Sequence, residues 1–400
     1  MVDRPHIMRD LFFSHIAQTS PSPLAIEISK AKGVFMYDTS GRDIIDLVSG
    51  VSVSNVGHSN PEVVDAVVNQ AKDYMHLMVY GEIIESPQVL HARLLTSLLP
   101  ETLNSVYYVN SGSEANEVAI KLAKRATGRR EIISCINSYH GSTHGVLSIM
   151  GSETYKRAYR PLLPETRQIR FNSTEDLSLI TEKSACVIVE PVQGEAGVIV
   201  PSDGFLNKLR ERCNDTGTIL IFDEVQTGFG RTGSMFAFQK YGVVPDIITL
   251  AKALGGGMPL GAMVSSKELT DLLTFSPVLG HITTFGGHPV SCAAALASLK
   301  ILIRESWVAE ADAKADIFVE AIKNHRCVKE IRKCGLLIAV ELKSEEMASG
   351  VIKLLLEEGV MSDWFLFNSF SFRIAPPLCI NKEEIELACK RILIALDKLN

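Results

Sequence analysis

Residues 245–261 read Pro245-Asp-Ile-Ile-Thr-Leu-Ala-Lys252-Ala-Leu-Gly-Gly-Gly-Met-Pro-Leu-Gly261. An apolar, β-branched stretch ends at a single lysine, Lys252, and three glycines follow almost at once. Lysine is unfavourable at the end of a buried strand, because removing its ammonium group from water is costly. Burial also lowers the pKa of a lysine toward that of a nucleophilic amine. The stretch therefore predicts a strand that delivers a reactive lysine to a glycine-rich turn.

A second strand pattern lies upstream and ends in acidic residues. Residues 218–225 read Thr218-Ile-Leu-Ile-Phe-Asp223-Glu-Val225, so an apolar run delivers Asp223 and Glu224 at its exit. One strand that ends in aspartate and a later one that ends in lysine indicate a pyridoxal phosphate site. In such a site the lysine forms a Schiff base with the cofactor and the aspartate faces the pyridine nitrogen.

The bulk composition is that of a globular enzyme with more than one domain. The chain has 400 residues, of which 46% are hydrophobic and 22% are charged, and this length exceeds one ordinary core. The net charge of −6 disfavours nucleic acid and anionic membranes as main partners. The eight cysteines form no C-x-x-C pair, which favours reduced core residues in a cytoplasmic protein. We expect neither a signal peptide, since the first residues lack an apolar core, nor a transmembrane helix.

Short apolar runs alternate with helical patterns from about residue 105 to 265. The predicted strands are 105–109, 131–135, 186–190, 219–223, 247–251 and 261–265, and the predicted helices are 114–126, 203–216 and 267–273. Such alternation predicts an α/β fold with a mostly parallel sheet that is covered by helices. Ligands bind beyond the carboxyl ends of such strands, which is where Asp223 and Lys252 fall.

The remaining chain predicts two smaller parts. A helix over 9–18 and a hairpin over 33–47 occupy the N-terminus, and an α+β pattern with helices over 308–324, 349–358 and 382–399 and strands over 336–342 and 370–375 follows a long helix after Pro289. We therefore expect an N-terminal segment, 1–52, that packs with the small domain. A large cofactor-binding domain, 53–300, and a C-terminal small domain, 301–400, complete the division.

Two segments that follow strands are candidate parts of the site. Ser111, Gly112 and Ser113 place hydroxyls and backbone N–H groups at a predicted helix N-terminus, which suits an anion, although a simple capping box with Glu114 fits the same residues. Tyr139 leaves the next strand and is either a ring that stacks on a flat cofactor or a rim aromatic. His140 and His144 stand four residues apart, but no third ligand has matching spacing, so we expect no metal.

Glu195 and Arg373 are candidate charged groups for substrate. Glu195 lies in a Pro/Gly turn after a strand, where it is either a solvated charge or the partner of a masked arginine. Arg373 lies inside an apolar strand, and a buried arginine requires a partner, for which a carboxylate is the natural choice. This pattern favours Arg373 as a carboxylate receptor over a structural ion pair.

These segments together resemble the class III (ornithine/acetylornithine/4-aminobutyrate type) aminotransferases, a pyridoxal-phosphate family of fold type I. The resemblance runs from about Pro23 to the C-terminus and is most specific over 221–233 and 249–261. It implies a large domain with a seven-stranded sheet and a smaller α+β domain. It also implies an obligate homodimer with active sites at the interface.

The resemblance assigns roles residue by residue. It implies that Lys252 is the Schiff-base lysine, that Asp223 pairs with the ring nitrogen and that Gln226 reaches the phenolic oxygen of the ring. It further implies phosphate contacts, a stacking ring and a switch in which a glutamate masks or releases an arginine; the residues are Ser111, Gly112 and Ser113 for the phosphate, Thr284 for the phosphate of the neighbouring subunit, Tyr139 for stacking, and Glu195 with Arg373 for the switch. Thr283, beside Thr284, joins the substrate-site candidates.

Two departures from the family pattern concern the amine donor. Ser142 stands where ornithine, acetylornithine and 4-aminobutyrate enzymes usually carry an arginine that grips the donor carboxylate. Val51 stands where ornithine enzymes tend to have a tyrosine. A serine at position 142 is equally compatible with a less polar amine donor.

The expected reaction is ping-pong transfer of an amino group from an ω-amino donor to a 2-oxo acid, either 2-oxoglutarate or pyruvate, through an internal aldimine. The alternatives are a racemase, an aminomutase or a decarboxylating transaminase on the same cofactor. All of these need both Lys252 and Asp223. A non-catalytic scaffold is disfavoured because both residues are present.

Overall fold

The computed structural model describes residues 4–399. The helices are α1 (Arg4–His15), α2 (Ser49–Ser52), α3 (Pro61–Asp73), α4 (Ser86–Thr96), α5 (Gly112–Thr127), α6 (His144–Leu147), α7 (Phe205–Thr216), α8 (Ala237–Tyr241), α9 (Lys267–Asp271), α10 (Pro289–Arg304), α11 (Trp307–Ile322), α12 (Glu345–Glu357) and α13 (Lys382–Asp397). The strands are β1 (Ile28–Lys32), β2 (Phe35–Asp38), β3 (Asp43–Asp46), β4 (Ser105–Val109), β5 (Glu131–Cys135), β6 (Thr166–Ile169), β7 (Ser184–Val189), β8 (Ile219–Asp223), β9 (Ile247–Leu250), β10 (Gly261–Ser265), β11 (Val328–Cys334), β12 (Leu337–Leu342), β13 (Val360–Met361), β14 (Trp364–Phe365) and β15 (Asn368–Ile374).

A seven-stranded sheet forms the centre of the molecule, in the order β4-β10-β9-β8-β7-β5-β6. All neighbours from β9 to β6 pair in parallel, and only β10 runs antiparallel to both of its neighbours. Every residue of β7, β9 and β10 is buried, which explains why these segments are nearly continuous apolar runs. The sheet thus directs the ends of β8 and β9 toward one edge, where Asp223 ends β8 and Lys252 follows β9.

Helix α5 covers this sheet directly behind that edge. It contacts β7, β8, β9 and β10, and its buried face carries small and branched residues such as Ala115, Val118 and Ala119. Ser111 caps its first turn by accepting a hydrogen bond from the Glu114 backbone N–H, and Gly128 ends it in the left-handed region. Both ends of α5 are therefore fixed, and its N-terminus stays at the edge of the sheet.

The C-terminal part builds a second sheet, and the N-terminal strands a third. The C-terminal sheet has the order β11-β12-β15-β14, and α12 and α13 pack on this part of the molecule. The N-terminal sheet has the order β1-β2-β3-β13, so Val360 and Met361 extend a sheet that begins some 300 residues earlier in the chain. The Ala375 backbone N–H also donates to the Leu47 carbonyl at 2.7 Å. These contacts join the N-terminal strands to the C-terminal part.

The predicted α/β architecture with its mostly parallel seven-stranded sheet is confirmed. The helix that we expect over 9–18 instead ends at His15, and the sequence patterns missed β1, β6, β11, β13 and β14. The division at residues 52 and 300 stays a prediction, and residues 1–3 and 400, at the two ends of that division, lie outside the described residues. Within residues 4–399, no helix combines the length and the apolar character that a membrane crossing requires.

Candidate active site

A cavity of about 740 Å³ opens where β8 and β9 end and α5 begins. Nine of the predicted cofactor- and substrate-site residues line it: Ser111, Gly112, Ser113, Tyr139, Ser142, Glu195, Asp223, Gln226 and Lys252. The sheet brings them together because parallel strands present their carboxyl ends at one edge.

Lys252 follows β9 at the floor of this cavity. It opens a short 3-10 turn with φ of 52°, a left-handed conformation that is uncommon for a lysine. Its Nζ atom has no hydrogen-bond partner among residues 4–399. Burial, assisted by the charge of Arg373, lowers the pKa of Lys252 against the opposing effect of nearby carboxylates such as Glu195 and Asp223. The amine is thus available and easier to deprotonate than a free lysine.

Asp223 is only 3% exposed and is held by three donors. Its Oδ2 atom accepts from Asn116 Nδ2 and from His140 Nδ1, both at 2.8 Å, and its Oδ1 atom accepts from the Val225 backbone N–H at 3.0 Å. Asn116 is itself fixed, since its Oδ1 atom accepts from the Thr249 hydroxyl at 2.7 Å. The carboxylate therefore has a single defined orientation at the cavity wall.

Asn116 and His140 are site residues that sequence reasoning missed. His140 was weighed with His144 as a metal pair, yet it bonds to Asp223 while His144 bonds to the Pro161 carbonyl. Within the described chain, no group of three or more His, Cys, Asp or Glu side chains is arranged to hold a metal ion. A polar residue on the otherwise apolar, buried face of an amphipathic helix is the signal that would have identified Asn116.

The N-terminus of α5 meets the loop that contains Tyr139 at very short range. A Cβ atom on Gly141, whose φ is 126°, would lie 2.3 Å from Ser113 Oγ, and one on Gly112 would lie 2.8 Å from a Val225 methyl group. Ser113 Oγ also contacts the Thr143 hydroxyl at 2.8 Å. Glycine at both positions leaves the first backbone N–H groups of α5 facing the cavity, as an anion site requires.

Glu190 is a further residue that sequence reasoning did not assign to the site. Its Oε1 atom accepts from the Tyr139 backbone N–H and its Oε2 atom from the Gly194 backbone N–H, each at 2.9 Å. Burial raises the pKa of Glu190 to about 7, although both backbone N–H groups and His140 oppose this rise. Glu190 thereby fixes both the loop that carries Tyr139 and the turn that carries Glu195.

Arg373 lies behind Glu195 and is only 1% exposed. Its Nη2 atom donates to both oxygens of Glu195 at 2.9 and 3.1 Å, and its Nε atom donates to Asp363 Oδ1 at 2.8 Å. Burial alone would raise the pKa of Glu195, but the charges of Arg373 and Lys252 outweigh it and lower that pKa. Glu195 Oε1 also accepts from Nε2 of the Gln226 amide. The oxygen of the same amide, Gln226 Oε1, is buried and has no hydrogen-bond partner among residues 4–399.

Four of the predicted site residues lie at the rim of the cavity or outside it. Ser142 is exposed at the rim, with its hydroxyl 3.1 Å from that of Tyr139. Val51 does not line the cavity, and its neighbour Val53 does. Thr283 lines a separate cavity of about 190 Å³, and Thr284 is exposed.

Comparison with known proteins gives this geometry its context. The sequence pattern of the family described as "Aminotransferase class-III" matches residues 16–396. The chain belongs to the class III aminotransferases. Its cofactor is pyridoxal phosphate, its reaction is a transamination and its fold is that of the fold type I enzymes, as the resemblance implied.

Curated relatives and solved structures agree with this assignment. The chain is 40% identical to an acetylornithine aminotransferase of Methanocaldococcus jannaschii over 394 residues, which cover 94% of each protein. It is 39% identical to the acetylornithine aminotransferase of Methanothermobacter thermautotrophicus, over 91% of this chain and 92% of the relative. The ornithine aminotransferase of Toxoplasma gondii has a TM-score of 0.91 at 29% identity, covering 99% of this chain and 95% of the other. An amine transaminase from an uncultivated Pseudomonas species has a TM-score of 0.88 at 27% identity, over 96% and 98%.

Proposed function

We propose that this aminotransferase takes the amino group of an ω-amino donor of the acetylornithine type and passes it to 2-oxoglutarate. The observation that supports this donor is the identity of about 40% to acetylornithine aminotransferases along almost the whole chain. The acceptor follows from the pairing of Glu195 with a buried arginine beside the cavity, since a 2-oxo acid presents a carboxylate that can replace the glutamate.

The side chains present at the cavity fit pyridoxal phosphate. When bound, this cofactor supplies an aldehyde and an electron-accepting ring for amino-group transfer. We propose that Lys252 holds the cofactor covalently and then carries a proton on Nζ to and from the reacting carbon of the substrate. Its unpartnered amine and lowered pKa support both tasks.

The other cavity residues hold and orient the cofactor in this proposal. Asp223 faces the ring nitrogen and keeps it protonated, because the negative charge at this position favours the protonated form. Ser111, Gly112 and Ser113 hold the phosphate at the N-terminus of α5. Tyr139 stacks on the ring, and Gln226 reaches the phenolic oxygen. The buried Oε1 atom of Gln226 is an acceptor without a partner among residues 4–399, which supports a contact with the phenolic hydroxyl.

We further propose a homodimer in which Thr284 reaches the phosphate at the partner's cavity. Thr284 is exposed and lies outside the cavity of its own chain. Large apolar side chains are also exposed in the loop that carries Thr284, with Phe285 at 53% and Val278 at 70%, and just before α4, with Ile84 at 90%. A second copy that buries these groups would remove an unfavourable apolar surface.

The eight free cysteines, seven of them buried, support a reducing, cytoplasmic setting.

A second donor class is an amine without a distal carboxylate. The observation that favours it is Ser142, because no arginine side chain lines the cavity among the described residues and Lys252 is its one lysine. A donor carboxylate at the rim would therefore lack the usual cationic partner.

The experiment that separates the donors is a panel of acetylornithine, ornithine, 4-aminobutyrate, lysine and putrescine, each with 2-oxoglutarate and with pyruvate. We expect the highest kcat/KM with acetylornithine and 2-oxoglutarate. The Ser142→Arg variant sharpens the panel, because an added cation should favour the carboxylate-bearing donors over putrescine. A preference for putrescine in the unchanged enzyme would establish the second class instead.

A further inference from the structure

Asp363, Phe365 and Glu195 all contact the guanidinium of Arg373. Asp363 accepts from Nε, the ring of Phe365 lies 4.5 Å from the guanidinium carbon, and Glu195 accepts from Nη2. The remaining nitrogen, Nη1, is buried and has no hydrogen-bond partner among residues 4–399. A buried guanidinium nitrogen without a partner is unfavourable, so an incoming acceptor atom is the natural complement.

The segment Ser362–Phe365 wraps around Arg373 through its backbone as well as its side chains. The Arg373 backbone N–H donates to the Asp363 carbonyl at 2.9 Å, and the Ser362 hydroxyl donates to the Arg373 carbonyl at 2.7 Å. Trp364 and Phe365 form β14, which pairs with β15, the strand that carries Arg373. Asp363 is therefore fixed relative to the arginine by the strand pairing itself.

Glu195 contacts the same guanidinium from a turn rather than from a segment that is paired with β15. It lies in the turn between Gly194 and Gly197, and it lines the cavity that receives substrate. Asp363 lines a second cavity of about 740 Å³, which adjoins the first at Val53, Gly257 and Met258. A substrate carboxylate that enters the first cavity thus meets Glu195 before it reaches Arg373, and it leaves Asp363 in place.

Because Glu195 can leave while Asp363 stays, the net charge around Arg373 can change. With both carboxylates the cluster carries a net charge of −1, which disfavours a third anion. When Glu195 moves away, Asp363 still neutralises a guanidinium that would otherwise be a buried unpaired charge, and such a charge is strongly unfavourable. The contact at Nε also restricts rotation of the guanidinium plane. Nη1 and Nη2 therefore keep an orientation that allows bidentate binding of a carboxylate.

We propose that Asp363 is a positioning residue for the acceptor: it holds Arg373 through Nε and presents Nη1 and Nη2 to the acceptor carboxylate, while Glu195 is the exchangeable partner. This inference rests on the proposed role of Arg373 as the carboxylate receptor. It adds a residue that acts only through the arginine, and it predicts that orientation and charge at Nε have separable effects.

The test uses the holoenzyme and glutarate, an unreactive dicarboxylate that resembles 2-oxoglutarate. Glutarate binding is measured by calorimetry, and KM and kcat are measured for 2-oxoglutarate with a fixed donor. Asp363→Ala should weaken glutarate binding and raise the KM for 2-oxoglutarate by roughly ten- to a hundredfold, with kcat changed less than about threefold, because a misplaced binding group costs affinity of this order. Asp363→Asn keeps an acceptor for Nε and should lose clearly less than Asp363→Ala.

The matched control is Asp43→Asn, which weakens the 2.6 Å Asp43–Arg391 ion pair, because neither member of that pair bonds to Glu195, Asp363 or Arg373. It should leave glutarate binding unchanged. Equal effects of Asp43→Asn and Asp363→Ala, or no effect of Asp363→Ala, would overturn the inference. If Asp363→Ala does not fold, Asp363→Glu displaces the carboxylate by one methylene and should weaken glutarate binding at an unchanged Tm; full binding there would overturn the inference equally.

A parallel Arg373→Gln variant separates this inference from the proposed function. If Arg373→Gln weakens glutarate binding and Asp363→Ala does not, Arg373 remains the receptor and the role of Asp363 is wrong. If Arg373→Gln binds glutarate normally, the receptor role of Arg373 is itself wrong, and the role of Asp363 falls with it.

Discussion

Asp223 and Arg373 are both buried charges beside one cavity, yet the molecule holds them in opposite ways. Asp223 is bound by neutral or titratable donors from α5 and from the loops after β5 and β8, and Asn116 is itself fixed by a hydrogen bond from Thr249. Arg373 is bound by two carboxylates from different segments, and one of its nitrogens has no partner. Three hydrogen bonds orient the first charge, while the second is neutralised by two carboxylates, one of which we propose is exchanged for substrate.

This difference corresponds to two kinds of ligand. A cofactor that stays in place is best served by a carboxylate with one orientation, because the reorganisation is completed when the protein folds. Two substrates that alternate at one site need a group whose charge can be covered or exposed. A buried ion pair is suited to this, since its desolvation cost makes exchange for another carboxylate nearly balanced in free energy.

The largest expected effect is that of Lys252→Ala. This variant removes the amine that lines the cavity together with Asp223; Asp223 and its donors are called the fixed region below. We expect turnover to fall by more than about 10⁴-fold, because the covalent attachment and the proton carrier are lost together. The visible absorbance of the bound cofactor should also change, while the Tm stays near that of the unchanged protein. A variant that still transaminates at a measurable fraction of the original rate would contradict the assignment.

Asp223→Asn tests the fixed region itself. The amide keeps the shape of the carboxylate but removes its charge, so we expect kcat to fall by roughly a hundredfold or more. The donor KM should change much less. Steady-state kinetics at several pH values provide the measurement, with Asn116→Ala as a companion that removes one donor to Asp223 and should have a smaller effect. A mild loss in Asp223→Asn would mean that another group keeps the ring nitrogen protonated.

Arg373→Lys tests the exchangeable region, which consists of Arg373 with its partners Glu195 and Asp363. Lysine retains the charge but cannot make the paired contacts of a guanidinium, so we expect the KM for 2-oxoglutarate to rise roughly 30-fold or more. The donor half-reaction, followed as a single turnover without acceptor, should change only a few-fold. Equal losses in the two half-reactions would make Arg373 a structural ion pair.

The sequence singled out the central charged residues of both regions but few of the residues that hold them, and the reason is physical. Asp223 ends β8 and Lys252 follows β9, two strands that are almost entirely apolar and buried, so a charged residue there is conspicuous. The same continuity made the central strands predictable. Strand β6 was missed because Thr166–Ile169 lies at the edge of the sheet, where polar residues are tolerated.

Contacts that depend on how segments pair and pack left no comparable signal. Asp363 lies ten residues before Arg373 in a segment of two-residue strands, and its role depends on how β14 pairs with β15. His140 was visible as a histidine but its partner, Asp223, is 83 residues away. Thr284 lies outside the cavity of its own chain, so one sequence and one chain leave its role as a prediction.

Glu190 connects the two regions, and the smallest expected effect concerns its titration. Burial raises the pKa of Glu190 to about 7 from an ordinary value of 4.5, so the folded protein keeps a proton that the unfolded chain releases. The stability from this group is complete below pH 4.5 and is lost as the pH rises through 7. We therefore expect Glu190→Gln to flatten the fall in unfolding free energy between pH 5 and pH 8 by about 1–3 kcal/mol, measured by urea denaturation.

Glu224→Gln is the matched control for this titration, because burial also raises the pKa of Glu224 to about 7 while its bonds go to Thr227 and the start of α8 rather than to the cavity. Both variants should flatten the pH profile of stability. Only Glu190→Gln should also alter kcat, by a few-fold, since an amide NH2 would face one of the two backbone N–H groups that fix Tyr139 and Gly194. Parallel pH profiles for the variants and the unchanged protein would mean that these carboxylates stay ionised, and an unchanged kcat in Glu190→Gln would mean that the two regions are positioned independently.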